Sequence, residues 1–330
     1  MKEILWRDRL RLLAIPISFF CWGIHRYNFS ALPGGGHGLG SIHDWMHGET
    51  SFDKHTLNPT IIGHRGVRIE LRGGRGGAGN TIRAIRDAVA IEVDWVEIEL
   101  RKSSGGNLFL FHDEDVCRVT DAKRVFADRD NWDFSSFKSA NIEKLGINYP
   151  GGREAIPRLA DAMKEFLDEP RVRFVLDLKD PRINPYDLQK AVDDLNTNRF
   201  VLFGTESCLK SFAEVEKKNK GKKLYTLGYT ALWTEKYNKL DYLFSHEFFL
   251  RLCDELGCEY LVLPALFLNQ NLIDDAHDAK CKVLAYGIDE QHPYKVTDLG
   301  GDGLIVDDPL GVISKYLRTC FCMFAMANAS

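Results

Sequence analysis

The sequence predicts an α/β fold, a single (β/α)8 barrel that follows an apolar N-terminal segment and a linker. From Thr60 onward, eight short apolar runs alternate with longer amphipathic stretches, which is the pattern of βαβ units around a parallel sheet. The runs lack strict apolar–polar alternation, as strands buried on both faces should. Residues 60–318 are close to the ~250 residues of such a barrel. No Gly-x-Gly-x-x-Gly motif forms the turn directly after the first strand, because the match at Gly74–Gly79 begins well beyond Gly63, which disfavours an open doubly wound sheet.

The predicted elements follow the local hydrophobic pattern. The strands are short runs rich in leucine or β-branched residues: Thr60–Gly63, Asp94–Leu100, Arg173–Leu178, Phe200–Phe203, Leu224–Leu227, Tyr260–Leu263, Lys282–Tyr286 and Gly303–Val306. The helices lie between most of them: Thr81–Ala90, Ile156–Leu167, Pro185–Leu195, Cys208–Lys218, His246–Leu256 and Gln270–Ala279. An extra strand, Leu108–Phe111, follows the hairpin signal Ser103–Asn107. The segment Cys117–Pro157 has little periodicity, so we expect a loop insertion over the barrel mouth.

The composition is that of an ordinary globular protein. The chain is 45% hydrophobic and 27% charged, which excludes intrinsic disorder for most of its length. The net charge of −4 and the pI near 6.2 argue against a nucleic-acid partner, because such proteins usually carry a strongly basic surface. No Cys-x-x-Cys pair occurs, so a zinc ribbon is not predicted. Nothing in the sequence indicates an oligomeric state.

Residues 1–59 are predicted to be a targeting or anchor segment followed by a linker. Three arginines precede the apolar run Leu12–Ile24, which would make a helix of ~20 Å, short of the ~30 Å bilayer core. This pattern is typical of a secretory signal or an uncleaved anchor and favours membrane association through residues 7–27. The alternative is a helix packed on the domain, which leaves a cytoplasmic location open. Gly-rich Leu32–Gly48 forms the linker, and residues 319–330 are a packed or acylated tail.

Polar side chains gather where the first three barrel strands are predicted to end, and barrels carry their active sites at these ends. In two places the side chains lie two residues apart on one strand and therefore share a face. The candidates are His64 and Arg65 after the first strand, Glu97 and Glu99 on the second, His112 after the hairpin, and Asp177 and Lys179 on the third.

This set of residue types suits phosphoryl transfer. Carboxylate oxygens can bind a divalent metal that neutralises phosphate charge, while arginine and lysine bind the remaining phosphate oxygens. Two histidines can serve as general acid and general base near neutral pH. Each residue alone has a structural alternative: a buried histidine that only hydrogen-bonds, a solvated Glu-x-Glu edge, or an Asp-x-Lys ion pair. Their joint placement after three successive strands favours an active site.

Short motifs occur in a fixed order along the predicted barrel. They are Gly63–Gly66 (GHRG), Asn80-Thr81, Glu97–Glu99 (EIE), Phe111–Asp113 (FHD), Arg118–Asp121 (RVTD), Ile156–Leu159 (IPRL), Asp177–Lys179 (DLK), and Gly301–Ile305 (GDGLI) with Asp308-Pro309. In this order and spacing the chain resembles the glycerophosphodiester phosphodiesterase family, which is distantly related to sphingomyelinase D. The resemblance covers Thr60 to Arg318.

The resemblance implies a TIM-barrel phosphoric diester hydrolase that converts glycerophosphodiesters to glycerol phosphate and an alcohol. It also implies one divalent cation, Mg²⁺ or Ca²⁺. The implied roles are acid/base catalysis by His64 and His112, phosphate binding by Arg65 and Lys179, and metal binding by Glu97, Glu99 and Asp177.

Four positions depart from the family pattern. Gly79 stands where the family has Glu, Glu99 replaces Asp, Asp177 replaces Glu, and Tyr286 replaces Trp. Because an Asp-x-Lys also resembles sphingomyelinase D, one alternative is a phospholipase D-like enzyme acting on lysophospholipids or sphingolipids. The other is a catalytically inactive barrel used for binding, which Gly79 supports.

Overall fold

Eight parallel strands close into a barrel, which confirms the predicted (β/α)8 fold. The strands are β1 (Thr60–Gly63), β2 (Trp95–Lys102), β3 (Leu108–Leu110), β4 (Gly146–Tyr149), β5 (Gly152–Ala155), β6 (Arg173–Leu178), β7 (Phe200–Gly204), β8 (Leu227–Thr230), β9 (Tyr260–Pro264), β10 (Lys282–Tyr286) and β11 (Gly303–Val306). Each of β1, β2 and β6 to β11 pairs in parallel with the next, and β11 pairs with β1, so the sheet closes. Strand β3 adds antiparallel to the end of β2, and β4 and β5 form a separate hairpin.

The computed structural model describes part of the chain. The described residues are 59–67, 78–149, 152–166, 169, 172–192, 199–219, 223–231, 246–288 and 292–316, all within the unit His55–Ser330. Apart from Pro59, the predicted targeting segment and linker (residues 1–59) lie outside the described residues, as does the tail (residues 319–330). Within the described ranges, no helix has the length and apolar character to cross a membrane.

Helices follow most barrel strands, and some of them begin at a capping side chain. They are α1 (Ile82–Ala90), α2 (Ala122–Val125), α3 (Ser139–Ile142), α4 (Leu159–Glu165), α5 (Pro185–Ala191), α6 (Glu206–Lys218), α7 (His246–Leu256), α8 (Gln270–Asp278) and α9 (Tyr294–Thr297), and residues 309–316 are also helical. The Thr81 hydroxyl accepts a hydrogen bond from the Ala84 amide at 3.1 Å, which fixes the start of α1. At α5 a capping box forms between Asn184 and Asp187.

Two apolar layers hold the barrel together. Seven barrel strands each contribute one side chain to an inner cluster: Ile62, Trp95, Val175, Phe203, Val262, Leu284 and Ile305. A cluster drawn from strands all around the sheet fills the barrel interior, as side-chain layers do in this fold. The larger cluster packs the outer strand faces against the helices. Both faces of the strands are therefore buried, which explains why the sequence lacks strict alternation.

The fifth barrel strand is displaced from its predicted position. The apolar run predicted Leu224–Leu227, whereas β8 is Leu227–Thr230. The Glu216 carboxylate accepts hydrogen bonds from the amides of Leu224 and Tyr225 at 2.8 and 2.7 Å, so these residues stay outside the ladder. Gly228 enters it instead, since a Cβ there would lie 2.5 Å from the Phe203 ring. Only glycine at this strand position leaves room for the Phe203 ring in the barrel interior.

The segment predicted as a loop insertion contains short elements with their own core. It comprises α2, α3, a 3-10 turn and the β4–β5 hairpin. Its apolar side chains pack on β3 in a cluster of aromatic and aliphatic residues: Phe109, Phe111, Val116, Ala122, Phe134, Phe137, Ile142, Leu145, Ile147 and Ile156. The elements are short, three or four residues each, so no periodic pattern could develop in the sequence.

The inner layer predicts a stability effect. Phe203→Ala should destabilise the full chain by ~3–5 kcal/mol, because it empties a fully buried site between strands. Phe248→Ala is the matched control, since that ring is 40% exposed, and its cost should be clearly smaller. Urea unfolding followed by circular dichroism measures both, and equal losses would contradict the assignment of Phe203 to the barrel interior.

Candidate active site

A tight turn at the end of β1 positions the first two candidate residues. The His64 amide donates to the Val306 carbonyl at 2.9 Å, which continues the β1–β11 ladder. Arg65 and Gly66 then adopt left-handed backbone, with φ of +57° and +87°. A Cβ at Gly66 would lie 2.6 Å from backbone atoms of Ala84, so only glycine lets the turn pack against α1. The turn also directs the Arg65 amide to Glu97 Oε2 at 2.7 Å.

Two carboxylates lie side by side on β2. Glu97 and Glu99 are 3% and 1% exposed, and their spacing on the strand places both on one face. Together with His64 they form a group whose ligand atoms all lie within 4.8 Å of one another. Burying two neighbouring carboxylates is unfavourable unless cations or hydrogen-bond donors compensate their charge.

Glu99 is the better compensated of the two. Its Oε2 lies 2.7 Å from Arg65 Nε and accepts a hydrogen bond from Asn80 Nδ2 at 2.9 Å. Its Oε1 lies 3.5 Å from Lys179 Nζ and 3.7 Å from His112 Nε2. Burial alone would raise its pKa, but the positive charges of Arg65 and Lys179 outweigh burial and lower the pKa. Glu99 is therefore a stable anion at the centre of the site.

Asn80 holds Glu99 through two hydrogen bonds. Besides its Nδ2 contact, its Oδ1 accepts from the Glu99 amide at 2.9 Å. Asn80 is itself 4% exposed and has a left-handed backbone with φ of +61°, a conformation that asparagine tolerates better than most residues. Its main-chain N–H donates a hydrogen bond to the Arg65 carbonyl at 3.0 Å. The Arg65 turn, the start of α1 and β2 are thus joined at one residue.

Glu97 has little compensation. Within the described residues, its carboxylate accepts one hydrogen bond, from the Arg65 amide. Burial and the neighbouring Glu99 charge raise the pKa of Glu97 to about 7. A bound cation would favour the ionised form of this carboxylate.

The end of β6 lies beside Glu99. Asp177 is level with Glu99 in the parallel register of β2 and β6, and Lys179 Nζ lies 2.6 Å from Asp177 Oδ2. Burial alone would lower the pKa of Lys179, but the negative charges of Asp177 and Glu99 outweigh the effect of burial and raise the pKa. Lys179 is therefore a fixed positive charge between two carboxylates.

Each histidine has an aspartate at Nδ1. His64 Nδ1 lies 2.8 Å from Asp307 Oδ1, and His112 Nδ1 lies 2.6 Å from Asp113 Oδ1. Burial alone would lower the pKa of His64, but the negative charge of Glu97 and the hydrogen bond with Asp307 outweigh the effect of burial and raise the pKa. The pKa of His112 is lowered, chiefly by burial. In both rings the aspartate occupies Nδ1 and leaves Nε2 for proton exchange with a ligand.

The structure brings the seven predicted residues to one end of the barrel. His64, Glu97 and Glu99 form the group suited to a metal. Asp177 is adjacent, with its Oδ2 on Lys179. Three residues were missed as site residues: Asn80, Asp113 and Asp307. A signal existed for Asp307, because it follows β11 directly and the end of a barrel strand is where such groups belong.

Two departures from the family pattern have structural consequences. A Cβ at Gly79 would lie 2.6 Å from Arg65 Cβ, so the Arg65 side chain occupies space that a longer residue would need. The Tyr286 hydroxyl donates a hydrogen bond to the Ala231 carbonyl at 2.9 Å, which links β10 to the residue after β8.

The chain is similar to known proteins in its sequence and in its fold. Residues 64–310 match the sequence model of the glycerophosphoryl diester phosphodiesterase family. Comparison with curated proteins gives no match.

Three solved structures share the fold. A glycerophosphodiester phosphodiesterase from Parabacteroides distasonis has a TM-score of 0.59 and 15% identity, over 79% of this chain and 98% of that one. A glycerophosphodiester phosphodiesterase from Agrobacterium tumefaciens has a TM-score of 0.57 and 18% identity, over 78% and 100%. An Oleispira antarctica phosphodiesterase, solved in complex with the product sn-glycerol-3-phosphate, has a TM-score of 0.58 and 20% identity, over 78% and 96%.

The contacts of Asn80 predict separable costs. Asn80→Gly should destabilise the full chain by ~1–3 kcal/mol, because the carboxylate and the main-chain N–H of Glu99 each lose a hydrogen bond. Asn80→Ala should cost a further ~1–2 kcal/mol, since alanine disfavours the left-handed backbone that glycine accepts. Urea unfolding measures both variants, and an alanine variant as stable as the glycine variant would contradict the role given to the backbone.

Proposed function

The chain belongs to the glycerophosphoryl diester phosphodiesterase family and is a phosphoric diester hydrolase, and on this premise we propose that it cleaves glycerophosphodiesters to glycerol phosphate and an alcohol. The observation that carries the proposal is the convergence of two histidines with a buried carboxylate pair and a lysine at one end of the barrel.

We further propose that the reaction requires one divalent cation, Mg²⁺ or Ca²⁺. The donor set fits such an ion, since both prefer carboxylate oxygens and, within the described residues, the Glu97 carboxylate forms no ion pair while its pKa is raised. Glu97 and Glu99 would hold it, with Asp177 as a further ligand. When bound, the cation would neutralise phosphate charge and polarise a phosphoryl oxygen.

Arg65 and Lys179 would bind the substrate phosphate. An arginine is charged at all working pH values, and the carboxylates around Lys179 raise its pKa. Both cations are also held by Glu99, at 2.7 and 3.5 Å, so their positions are set before substrate arrives. Preorganised charges of this kind stabilise a transition state without reorganisation.

His64 and His112 would transfer protons through Nε2. One histidine accepts a proton from the attacking group, the glycerol 2-hydroxyl or a water, as the new bond to phosphorus forms. If the hydroxyl attacks, a water then opens the cyclic phosphate to give glycerol phosphate. The other donates a proton to the alcohol oxygen as the old P–O bond breaks. Asp307 and Asp113 hold the two rings by Nδ1 and stabilise each imidazolium when it forms.

The full chain should release choline from glycerophosphocholine, lose the activity in chelator and regain it with Mg²⁺ or Ca²⁺. A parallel assay with lysophosphatidylcholine tests the phospholipase D-like alternative, which a preference for the lysolipid would favour. No choline from either substrate with either metal would overturn the enzymatic proposals.

The histidine roles predict large rate losses. His64→Ala and His112→Ala should each lower turnover by ~10²–10⁴-fold, since each removes an acid or a base. His277→Ala is the matched control, because His277 is also paired with an aspartate (Asp302, 2.8 Å) but lies on α8. An unchanged rate in either active-site variant, measured at saturating substrate, would remove that residue from the mechanism.

The pKa of Glu97, about 7 in the absence of a cation, predicts pH-dependent metal affinity. A cation binds the ionised carboxylate, so affinity should fall as the pH drops below 7, by up to ~10-fold per pH unit for one proton. Glu97→Gln should weaken binding and flatten this dependence, whereas Glu143→Gln, at an exposed ion pair, should change neither. Calorimetric titration at pH 6 and 8 measures the effect, and a flat profile in the unmodified chain would contradict it.

Asp177→Ala separates two roles for this carboxylate. If Asp177 is a metal ligand, the variant should lose activity and bind the cation more weakly. If it only holds Lys179, at 2.6 Å, activity should fall while the metal titration stays unchanged. Activity and calorimetry on the same preparation distinguish the two, and an unaltered titration would contradict the ligand role.

A further inference from the structure

We propose a second anion-binding site, for a phosphomonoester group, in the cleft between α2 and the β4–β5 hairpin. The cleft has a volume of about 360 Å³ and is lined by Cys117, Asp121, Lys123, Arg124, Asn148 and Arg153, among others. Its volume falls in the range of small-molecule sites. None of these residues belongs to the candidate active site.

The cleft is cationic in a chain of net negative charge. Its lining residues include three cationic side chains, Lys123, Arg124 and Arg153, and one carboxylate, that of Asp121. The whole chain, in contrast, has a net charge of −4. Asp115 is not a lining residue, although its carboxylate accepts a hydrogen bond from the Cys117 amide. A local excess of positive charge inside a concave surface concentrates anions there.

A buried carboxylate fixes the two arginines. The Asp121 side chain is 6% exposed, and its Oδ2 contacts Arg124 Nη2 and, at 2.9 Å, Arg153 Nε. Its Oδ1 accepts from the Gly146 amide at 2.9 Å. The Arg153 Nη2 donates to the Lys144 carbonyl at 2.8 Å. Both guanidinium groups are therefore held in place before any ligand binds.

The hairpin is shaped to let Arg153 reach Asp121. A Cβ at Gly146 would lie 2.2 Å from Arg153 Nε, so the glycine leaves the space that the side chain occupies. Main-chain hydrogen bonds from Asp121 to Gly146 and from Asn148 to Val119, at 3.1 and 3.0 Å, join the hairpin to the segment before α2. These bonds hold together the two segments that line the cleft.

The remaining donors match a phosphate. Within the described residues, Arg153 Nη1 and the Nε and Nη1 groups of Arg124 have no protein acceptor. Guanidinium groups bind phosphate oxygens through paired N–H donors, and Lys123 adds a further charge. The dianion could be a free phosphomonoester or the headgroup of an anionic lipid, which present the same chemistry.

Cys117 provides a local reporter that is independent of the active site. Its thiol is partly exposed in the cleft, so a bound anion should slow its alkylation by iodoacetamide, followed by mass spectrometry of the full chain. We expect at least ~5-fold slowing by inorganic phosphate or glycerol 3-phosphate relative to chloride at equal ionic strength. Cys258, also partly exposed but outside the cleft, should be unaffected.

Variants connect the protection to the arginines. Arg153→Gln and Arg124→Gln should each abolish it, and the latter side chain is 73% exposed, so the fold is not at risk. Arg86→Gln, at an exposed ion pair with Glu165 on α1 and α4, should retain it. Hydrolysis of glycerophosphocholine should be unchanged in all three variants, which separates this site from the proposed catalytic one.

Lipid vesicles distinguish the two sources of the phosphate. Protection by phosphatidylcholine vesicles containing phosphatidic acid, but not by pure phosphatidylcholine, would assign the site to a headgroup. Protection by the soluble anions alone would assign it to a free phosphomonoester. Protection by neither, equal slowing at Cys258, or protection that persists in both arginine variants would overturn the proposal.

Discussion

The buried carboxylate of Glu99 is the interaction on which the site depends. It lies in a strand interior, where an uncompensated charge would be strongly unfavourable, and its neighbours come from separate parts of the chain. Arg65 comes from the turn after β1, Asn80 from the start of α1 and Lys179 from the end of β6. Because each of these elements supplies a partner to one carboxylate, the anion fixes how the strand ends lie relative to one another.

The same arrangement explains the opposite pKa shifts of the two glutamates. The available cations surround Glu99 and lower its pKa. Glu97 receives one main-chain hydrogen bond and the repulsion of its neighbour, so its pKa is raised to about 7. The deficit of positive charge is therefore localised at Glu97 rather than shared. A divalent cation is the chemical species that would correct it while leaving the Glu99 contacts in place.

The barrel, and the gathering of the candidate site residues at one end of it, could be predicted from the sequence for identifiable physical reasons. Strands buried on both faces give continuous apolar runs, so β6 and β10 match their predicted ranges, as does the amphipathic helix α7. Strand β8 was displaced because a glycine is needed beside Phe203, a packing demand that hydrophobicity does not encode. Asn80 acts through a left-handed backbone and contacts 19 residues away, and no local pattern predicts such a role.

The structure also bears on the substitution at position 79, which had favoured an inactive barrel. A Cβ at this position would collide with Arg65, whose left-handed backbone and side chain are directed to Glu99. The glycine and the arginine conformation are thus compatible with each other, and Arg65 keeps a carboxylate partner although position 79 offers none. The longer arm of glutamate at position 99, with one more methylene than the aspartate of the family pattern, extends the carboxylate towards Arg65. A buried anion with this set of partners is not explained by stability, because replacing a buried ion pair with apolar residues is often neutral or stabilising, and the arrangement therefore favours an active site over an inactive barrel.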